Sequence, residues 1–276
     1  MEVHPLDQTP LEEIVECLSL SFADYFVKMP KDPAYWKARW KGARVDYRFS
    51  YGMFDQDQLV GFMVHGADFK NGIFTAFNTG TGVIPEYRGR GIVRQMYKLA
   101  LQEFKDRGIQ QCTLEVIQKN ESAIRAYQKV GFEISRELKC YQGKLPARQE
   151  NVVQLKKGQL QFFDWDQYAG QVYYSWDHMR TAILLLEKQY ELYKVFQDRQ
   201  PRGYFIINPQ TGYLAQFDID NRKCPGHWTV LFEGIAQVCT QVKILNVDKR
   251  EQAKIQLLDH LGLNNYIDQY EMELHF

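Results

Sequence analysis

Apolar positions in this chain recur with two spacings, and each predicts a kind of element. Leu11, Ile14, Val15, Leu18 and Phe22 fall on one side of a helix that starts at Thr9-Pro10. Ile92, Met96, Ala100 and Phe104 form a second helical stripe, closed by Arg107-Gly108. A third helix opens at Asn120-Glu121-Ser122-Ala123 and ends at Gly131. Between them lie β-rich runs: residues 1–5, a hairpin of 48–54 and 59–67 around Asp55-Gln56-Asp57-Gln58, a strand over 72–81, and the apolar 112–117. Residues 22–33, aromatic and broken by prolines, read as a loop. A similar pattern follows downstream. It predicts a hairpin over 203–217 turning at Pro209-Gln210-Thr211-Gly212, a helix over 231–239, a strand over 242–247, a helix over 249–261 and a last strand over 267–276. Strands alternating with helices predict the α/β class, α+β under some schemes.

The densest chemistry is Gly82-Val83-Ile84-Pro85-Glu86-Tyr87-Arg88-Gly89-Arg90-Gly91-Ile92-Val93, where a strand end runs through a turn with two glycines directly into a helix. Glycines let the backbone approach a bulky ligand, and the first N–H groups of a helix have no internal acceptor. The loop therefore predicts a phosphate or pyrophosphate site, with Arg88 and Arg90 adding positive charge. A Walker-type nucleotide loop needs Lys-Ser/Thr after its second glycine, where this chain has Ile92-Val93. The dinucleotide fingerprint needs a third glycine that is missing.

What remains, Arg88-x-x-Gly91-x-Val93 after Val83-Ile84-Pro85-Glu86-Tyr87, resembles the pyrophosphate loop of the Gcn5-related N-acetyltransferases, which bind acetyl-coenzyme A. Val93 stands where that family has Gly or Ala. Leu114-Glu115-Val116, Asn120, Ala123, Tyr127 and Gly131-Phe132 then follow in the order and spacing of the family's second half. The resemblance implies that Gly89, Gly91, Ile92 and Val93 give N–H groups to the pyrophosphate, flanked by Arg88 and Arg90. It implies that Val83 and Ile84 offer backbone groups to the pantetheine arm as an added strand would, and that Asn120 caps its helix and reaches the same arm. By the same resemblance Tyr25, Phe26 and Trp36 wall an acceptor pocket, the plainer alternative being an aromatic core. Asn78-Thr79-Gly80-Thr81-Gly82 is small and polar where many family members carry a catalytic carboxylate, so a base has to come from elsewhere.

The downstream half reads as a second copy. Leu245, Ile255 and Gly262-Leu263 match Leu114, Ile124 and Gly131-Phe132 without a gap. The polar stretch 142–151 marks the boundary. The expectation is two acetyltransferase-like domains, residues 1–145 and 151–276, each a mixed, mostly antiparallel central sheet flanked by helices. Residues 221–228 contain no Arg-x-x-Gly-x-Gly, and Leu258 stands where Tyr127 stands, so the second copy is expected to hold no cofactor. Its uses would be to cover the acceptor cleft or to make a homodimer contact through the aromatic-rich stretch 162–176.

Whole-chain properties narrow the partners. The 276 residues are 45% hydrophobic, ample for buried cores, and the formal net charge of zero argues against nucleic acid as the main partner. Five cysteines, odd in number and without a Cys-x-x-Cys, read as reduced thiols of a cytoplasmic protein, and the six scattered histidines suggest no metal site. No apolar run approaches the ~20 residues of a membrane span, and the N-terminal residues lack the pattern of a signal peptide.

Mechanism turns on the amine, which must be neutral to attack a thioester. A lysine at pKa ~10.4 needs more help from a base than an α-amine at ~7.7–8.0. Glu115 and Tyr127 have the order and spacing of the base and acid pair in family members that acetylate protein N-termini. Glu115 would act directly or through a water. Its alternative role is to bind backbone where two central strands splay. For Tyr127 a phenol at pKa ~10 is a weaker acid than a thiol at ~8.5, so outright donation is uphill by roughly 2 kcal/mol. A hydrogen bond to sulfur that strengthens as charge develops suits it better. Its alternative role is a buried helix tyrosine. Two hypotheses remain: an acetyl-CoA-dependent N-acetyltransferase acting on a small-molecule or peptide amine, and a non-catalytic acyl-CoA-binding or sensing protein.

Overall fold

A computed structural model describes residues 1–146, 153–220, 224 and 226–276; the expected boundary 142–151 and the stretch 221–228 lie partly outside these. The chain forms two compact units, one of Met1–Ser135 with Tyr270–Phe276, the other of Arg136–Gln269.

The first unit runs β1 (Glu2–Pro5), α1 (Leu11–Ser21), α2 (Pro33–Gly42), β2 (Tyr51–Asp55), β3 (Gln58–Lys70), β4 (Ile73–Val83), α3 (Ile92–Asp106), β5 (Gln111–Ile117), α4 (Glu121–Gln128) and the start of β6 (Glu133–Lys144). Glu12 and Glu13 sit in the first turn of α1, where negative charge suits the helix dipole, and Ile14, Val15, Cys17 and Leu18 are buried. The helix α2 was not marked by apolar spacing. It forms because Asp32 accepts from the Ala34 amide at 2.9 Å and Pro33 pre-sets the first turn, and it buries Trp36 and Trp40. Strands β1 to β4 pair antiparallel in order, and β5 joins β4 in parallel.

Tyr270–Phe276 completes this unit from the far end of the sequence. Phe276 stacks on Phe104 at 6.4 Å between ring centroids, and its amide donates to the Gln110 carbonyl at 3.3 Å. Met272 is fully buried, and Glu271, 1% exposed, pairs with the buried Lys70 at 2.7 Å.

The second unit takes in the rest of β6 and then β7 (Val153–Gly158), short 3-10 turns between Leu160 and His178, α5 (Arg180–Leu185), β8 (Glu191–Gln197), β9 (Gln200–Asn208), β10 (Tyr213–Ile219), α6 (Gly226–Val238), β11 (Gln241–Asp248), α7 (Gln252–His260) and the start of β12 (Asn264–His275). Its strand order is β6-β11-β10-β9-β8-β7, antiparallel except for the parallel pair β10 and β11. The expected hairpin over 203–217 is β9 and β10. Each unit is a mixed, mostly antiparallel sheet with helices, as the pattern predicts.

The gapless match of Leu114 to Leu245 fails on facing. Leu114 is buried in its core, while Leu245 is half-buried and Ile244 takes the core position. The cause is a bulge in β11 between Ile244 and Val247, with Asn246 at φ 55°, which adds one residue and flips the alternation of faces. No disulfide joins the five described cysteines, and Cys17, Cys112 and Cys140 are buried. Among the described residues no helix is long and apolar enough to cross a membrane.

Candidate functional site

The parallel pairing of β4 with β5 lasts only from Thr75 opposite Gln111 to Asn78 opposite Leu114. Beyond it the strands part, leaving Gly80 to Val83 on one side and Glu115 to Ile117 on the other. A bulge helps to start the opening. Val64 faces Gly80 and His65 faces Asn78, so Thr79 is an extra residue in β4. Gly80 to Val83 therefore change face relative to strict alternation, and the Asn78 side chain reaches Thr81, three residues on, at 2.6 Å.

The glycine loop lies where β4 gives way to α3. Gly89 and Gly91 adopt φ 77° and 72°, a left-handed conformation that costs other residues free energy, and a Cβ built on either would meet nothing within 4 Å. The loop is thus both strained for side chains and open on its outer side. Gly91 is the N-cap of α3, with no side chain closing the helix and no acidic residue in its first turn. Among the described residues the amides of Gly89, Gly91, Ile92 and Val93 have no acceptor in the chain. Unspent N–H groups at a helix start form an anion site.

The two arginines are held differently. Arg88 forms a two-point pair with Asp24 at 2.8 and 2.9 Å and also donates to the carbonyls of Ser21 and Val83, so it ties the loop to the end of α1. That hydrogen bonding pulls the Asp24 carboxyl down to about 2. Arg90 lies over the Tyr87 ring at 4.7 Å and donates to the Glu86 carbonyl, while Tyr87 donates to Asp55 at 2.6 Å. Of the backbone expected to meet the pantetheine arm, Ile84 already donates to Val60 and accepts from Tyr87, each at 3.0 Å, and the Val83 carbonyl accepts from Arg88.

Asn120 caps α4, its side chain accepting from the Ala123 amide at 3.2 Å. Phe26 is exposed and packs edge-on against Tyr25 at 5.3 Å. Trp36 instead lies in the core beside Trp40, donating to the Pro30 carbonyl at 2.8 Å. Glu115 is half-buried and faces away from Cys112, Leu114 and Val116, which fill the core.

Tyr127 is 8% exposed, its ring set between Tyr97 and Phe132. Burial pushes its phenol up to about 12, opposed in part by hydrogen bonding with Thr81. Behind it lies a polar string absent from the sequence expectations. Asn78 donates to Thr81 and to the Tyr97 hydroxyl, both at 2.6 Å, and accepts from the Gly80 amide at 3.0 Å. Tyr97 in turn lies 3.5 Å from His65, whose imidazole burial holds down at about 3 and therefore neutral. The small polar end of β4 was the available signal for Asn78 and Thr81. Asp24 and Arg88, far apart in sequence, carried none.

Comparison with known proteins gives consistent findings. Residues 12–132 match the acetyltransferase (GNAT) family. N-alpha-acetyltransferase 30 of Schizosaccharomyces pombe is 31% identical over 85 residues, a match spanning 30% of this chain and 57% of that protein. Among solved structures, a tandem GNAT protein from the clavulanic acid biosynthesis pathway superposes with TM-score 0.70 at 16% identity, covering 99% of this chain and 98% of its own. A GCN5-related N-acetyltransferase from Sphaerobacter thermophilus gives TM-score 0.70 at 10% identity, with 99% and 95% covered. These structures share the fold.

Proposed function

We propose that the protein, whose residues 12–132 match the acetyltransferase (GNAT) family, transfers the acetyl group of acetyl-coenzyme A to an amine by direct attack. The observation that carries this reading is the opening between β4 and β5 beside the unspent amides of the glycine loop. Gly89, Gly91, Ile92 and Val93 would hold the pyrophosphate, with Arg90 near it and Arg88 fixing the loop. Asn120, at the start of α4, would meet the pantetheine arm. The thioester supplies an acyl carbon open to attack and a sulfur able to leave.

The chain's own groups then divide the proton work. Glu115, half-buried beyond the last paired residue of β5, would take the proton of the acceptor nitrogen at a carboxylate oxygen, directly or through a water. Tyr127 would present its Oη proton to the departing sulfur. With the phenol at about 12 and a thiol near ~8.5, outright donation is uphill by roughly 5 kcal/mol, so its work is a hydrogen bond that tightens as charge grows on sulfur. A single carboxylate and a weak acid suit an α-amine, partly neutral at pH 7, better than a lysine side chain. The likeness to an N-alpha-acetyltransferase supports the same acceptor class, a peptide or small-molecule α-amine.

The test is release of free thiol and formation of acetylated product from acetyl-CoA across peptides and small amines, with cofactor binding followed by calorimetry. Thiol release with an α-amine acceptor is the expected result. Tight binding without transfer to any amine would establish the binding-only alternative instead. Absence of binding would overturn the loop assignment.

A further inference from the structure

Charge is spread unevenly over the first unit. Residues 28–48 hold seven basic and two acidic residues in a chain whose formal net charge is zero. Arg44 and Arg48 are spent on Asp68 and Asp46. Lys28, Lys31, Lys37 and Lys41 are exposed and, among the described residues, form no ion pair. The fold gains little from these four charges. Lys37 and Lys41 stand one turn apart on α2, where like charges repel, and Lys28 and Lys31 precede the helix at its positive end. Lys41 alone suits the end at which it stands. Apolar side chains interleave with the lysines along the segment: Phe26, Val27 and Tyr35 are 55, 45 and 46% exposed.

We propose that the lysines of α2 and of the loop before it dock an acidic peptide, with the exposed rings taking its apolar side chains. The ten residues of α2 span about 15 Å, the length of about four or five residues of extended peptide, so the match is to a short run of Asp and Glu. A strip this short offers little to the long, evenly charged backbone of a nucleic acid, and the zero net charge of the chain does not draw one in. A line of rings leads from the strip to the opening in the sheet. Phe62 lies against Gly80 and Gly82 at the end of β4, and Phe22, Tyr25 and Phe26 follow outward at successive centroid distances of 6.4, 4.8 and 5.3 Å. A peptide that is acidic a few residues beyond its α-amine would meet the lysines while the amine reaches the opening. This narrows the acceptor class proposed above and rests on that reading for its use.

The test uses labelled decapeptides already acetylated at the α-amine, so that docking is read apart from transfer. In fluorescence anisotropy, a peptide whose second to sixth residues are Asp and Glu should bind roughly tenfold more tightly than its Asn and Gln counterpart, the advantage fading as salt is raised. Lys37→Glu with Lys41→Glu should remove most of that advantage; Lys28→Glu with Lys31→Glu, in the loop, should do the same and serves if the helix variant fails to fold. Lys98→Glu with Lys129→Glu changes the net charge equally at exposed positions elsewhere on the first unit and should leave the advantage intact. With unblocked peptides the docking variants should raise KM for the acidic acceptor and leave kcat unchanged, as loss of uniform binding does. Equal affinity for acidic and neutral peptides, indifference to the lysine reversals, or tighter binding of single-stranded DNA or phosphatidylserine vesicles through the same lysines would overturn the proposal. If the blocked acidic peptide docks while no unblocked peptide is acetylated, the transferase reading falls and the docking surface stands; transfer without acidic preference has the opposite meaning.

Discussion

The two units part a parallel strand pair in the same way and do opposite things with the gap. In the second unit β10 and β11 pair in parallel only at Tyr213 opposite Lys243. The space beyond is filled by the chain itself. Counting from the helix starts, Glu251 stands where Asn120 stands and Lys254 where Ala123 stands. The Lys254 ammonium, 4% exposed, pairs with Glu251 at 2.9 Å and lies 4.9, 5.1 and 5.9 Å from the rings of Tyr174, Phe217 and Trp228. A cavity of about 20 Å³ remains there, room for one water. Asn246, in the bulge of β11, is tied to Gln269 and Ser175, and Leu258, at the helix position of Tyr127, packs in the core. The gap is a property of the topology; a site depends on leaving it unfilled and lining it with free donors.

The comparison can be broken first at the loop. Gly91→Glu should remove measurable acetyl-CoA binding by calorimetry while circular dichroism shows a folded chain, because a carboxylate would replace an anion at a helix start and strain a left-handed position. Unchanged affinity would make the two units equivalent in not using their gaps. The converse intervention is Lys254→Met in the second unit. It should cost about 3 kcal/mol in denaturant unfolding, since it takes the lysine from a buried pair, yet calorimetry should still give one acetyl-CoA per chain. A second equivalent would mean that the fill, not the missing loop, silences that unit.

Tyr127→Phe removes one hydroxyl and should lower kcat about a hundredfold with little change in cofactor affinity. An unchanged kcat with a good acceptor would leave Tyr127 as packing, the role Leu258 already has. The smallest expected effect is acid sensitivity in the first unit. The folded pKa of His65 is held at about 3 by burial while the unfolded value is ~6.5, so between these values the unfolded chain binds the extra proton. Stability should therefore fall as pH drops below ~6.5, by roughly 2 kcal/mol at pH 5, and stay level above. His65→Phe should flatten that slope in a series of thermal melts; an unaltered slope would place the acid response elsewhere.

Much of the site was legible because it is local. The run from Val83 to Val93 names its own strand end, glycine loop and helix start, and Asn120 and Gly131 bracket α4 by their conformational preferences. What was hidden depends on pairs distant in sequence or on backbone events without a residue signature. Asp24 meets Arg88 across 64 positions, and the polar string needs the bulge at Thr79 to bring Thr81 round to Asn78. The bulge at Asn246 likewise defeats a gapless match that looks sound on paper. The short 3-10 turns between Leu160 and His178 follow neither a helical nor a strand period, so periodicity had nothing to report.

The placement of Tyr270–Phe276 in the first unit also sets a clock. All of Arg136–Gln269 is synthesised between that unit's body and its last segment, roughly 7–27 s at about 5–20 residues per second. For that interval Phe104 lacks the Phe276 ring, the Lys70 ammonium lacks its carboxylate, and the segment that lies beside β5 has yet to be made. An unfinished sheet edge invites pairing with other chains, so the nascent first unit is a ready client for a chaperone. By the same reasoning a fragment of residues 1–135 is a domain waiting for one strand, and a synthetic peptide of Tyr270–Phe276 is the reagent that could supply it.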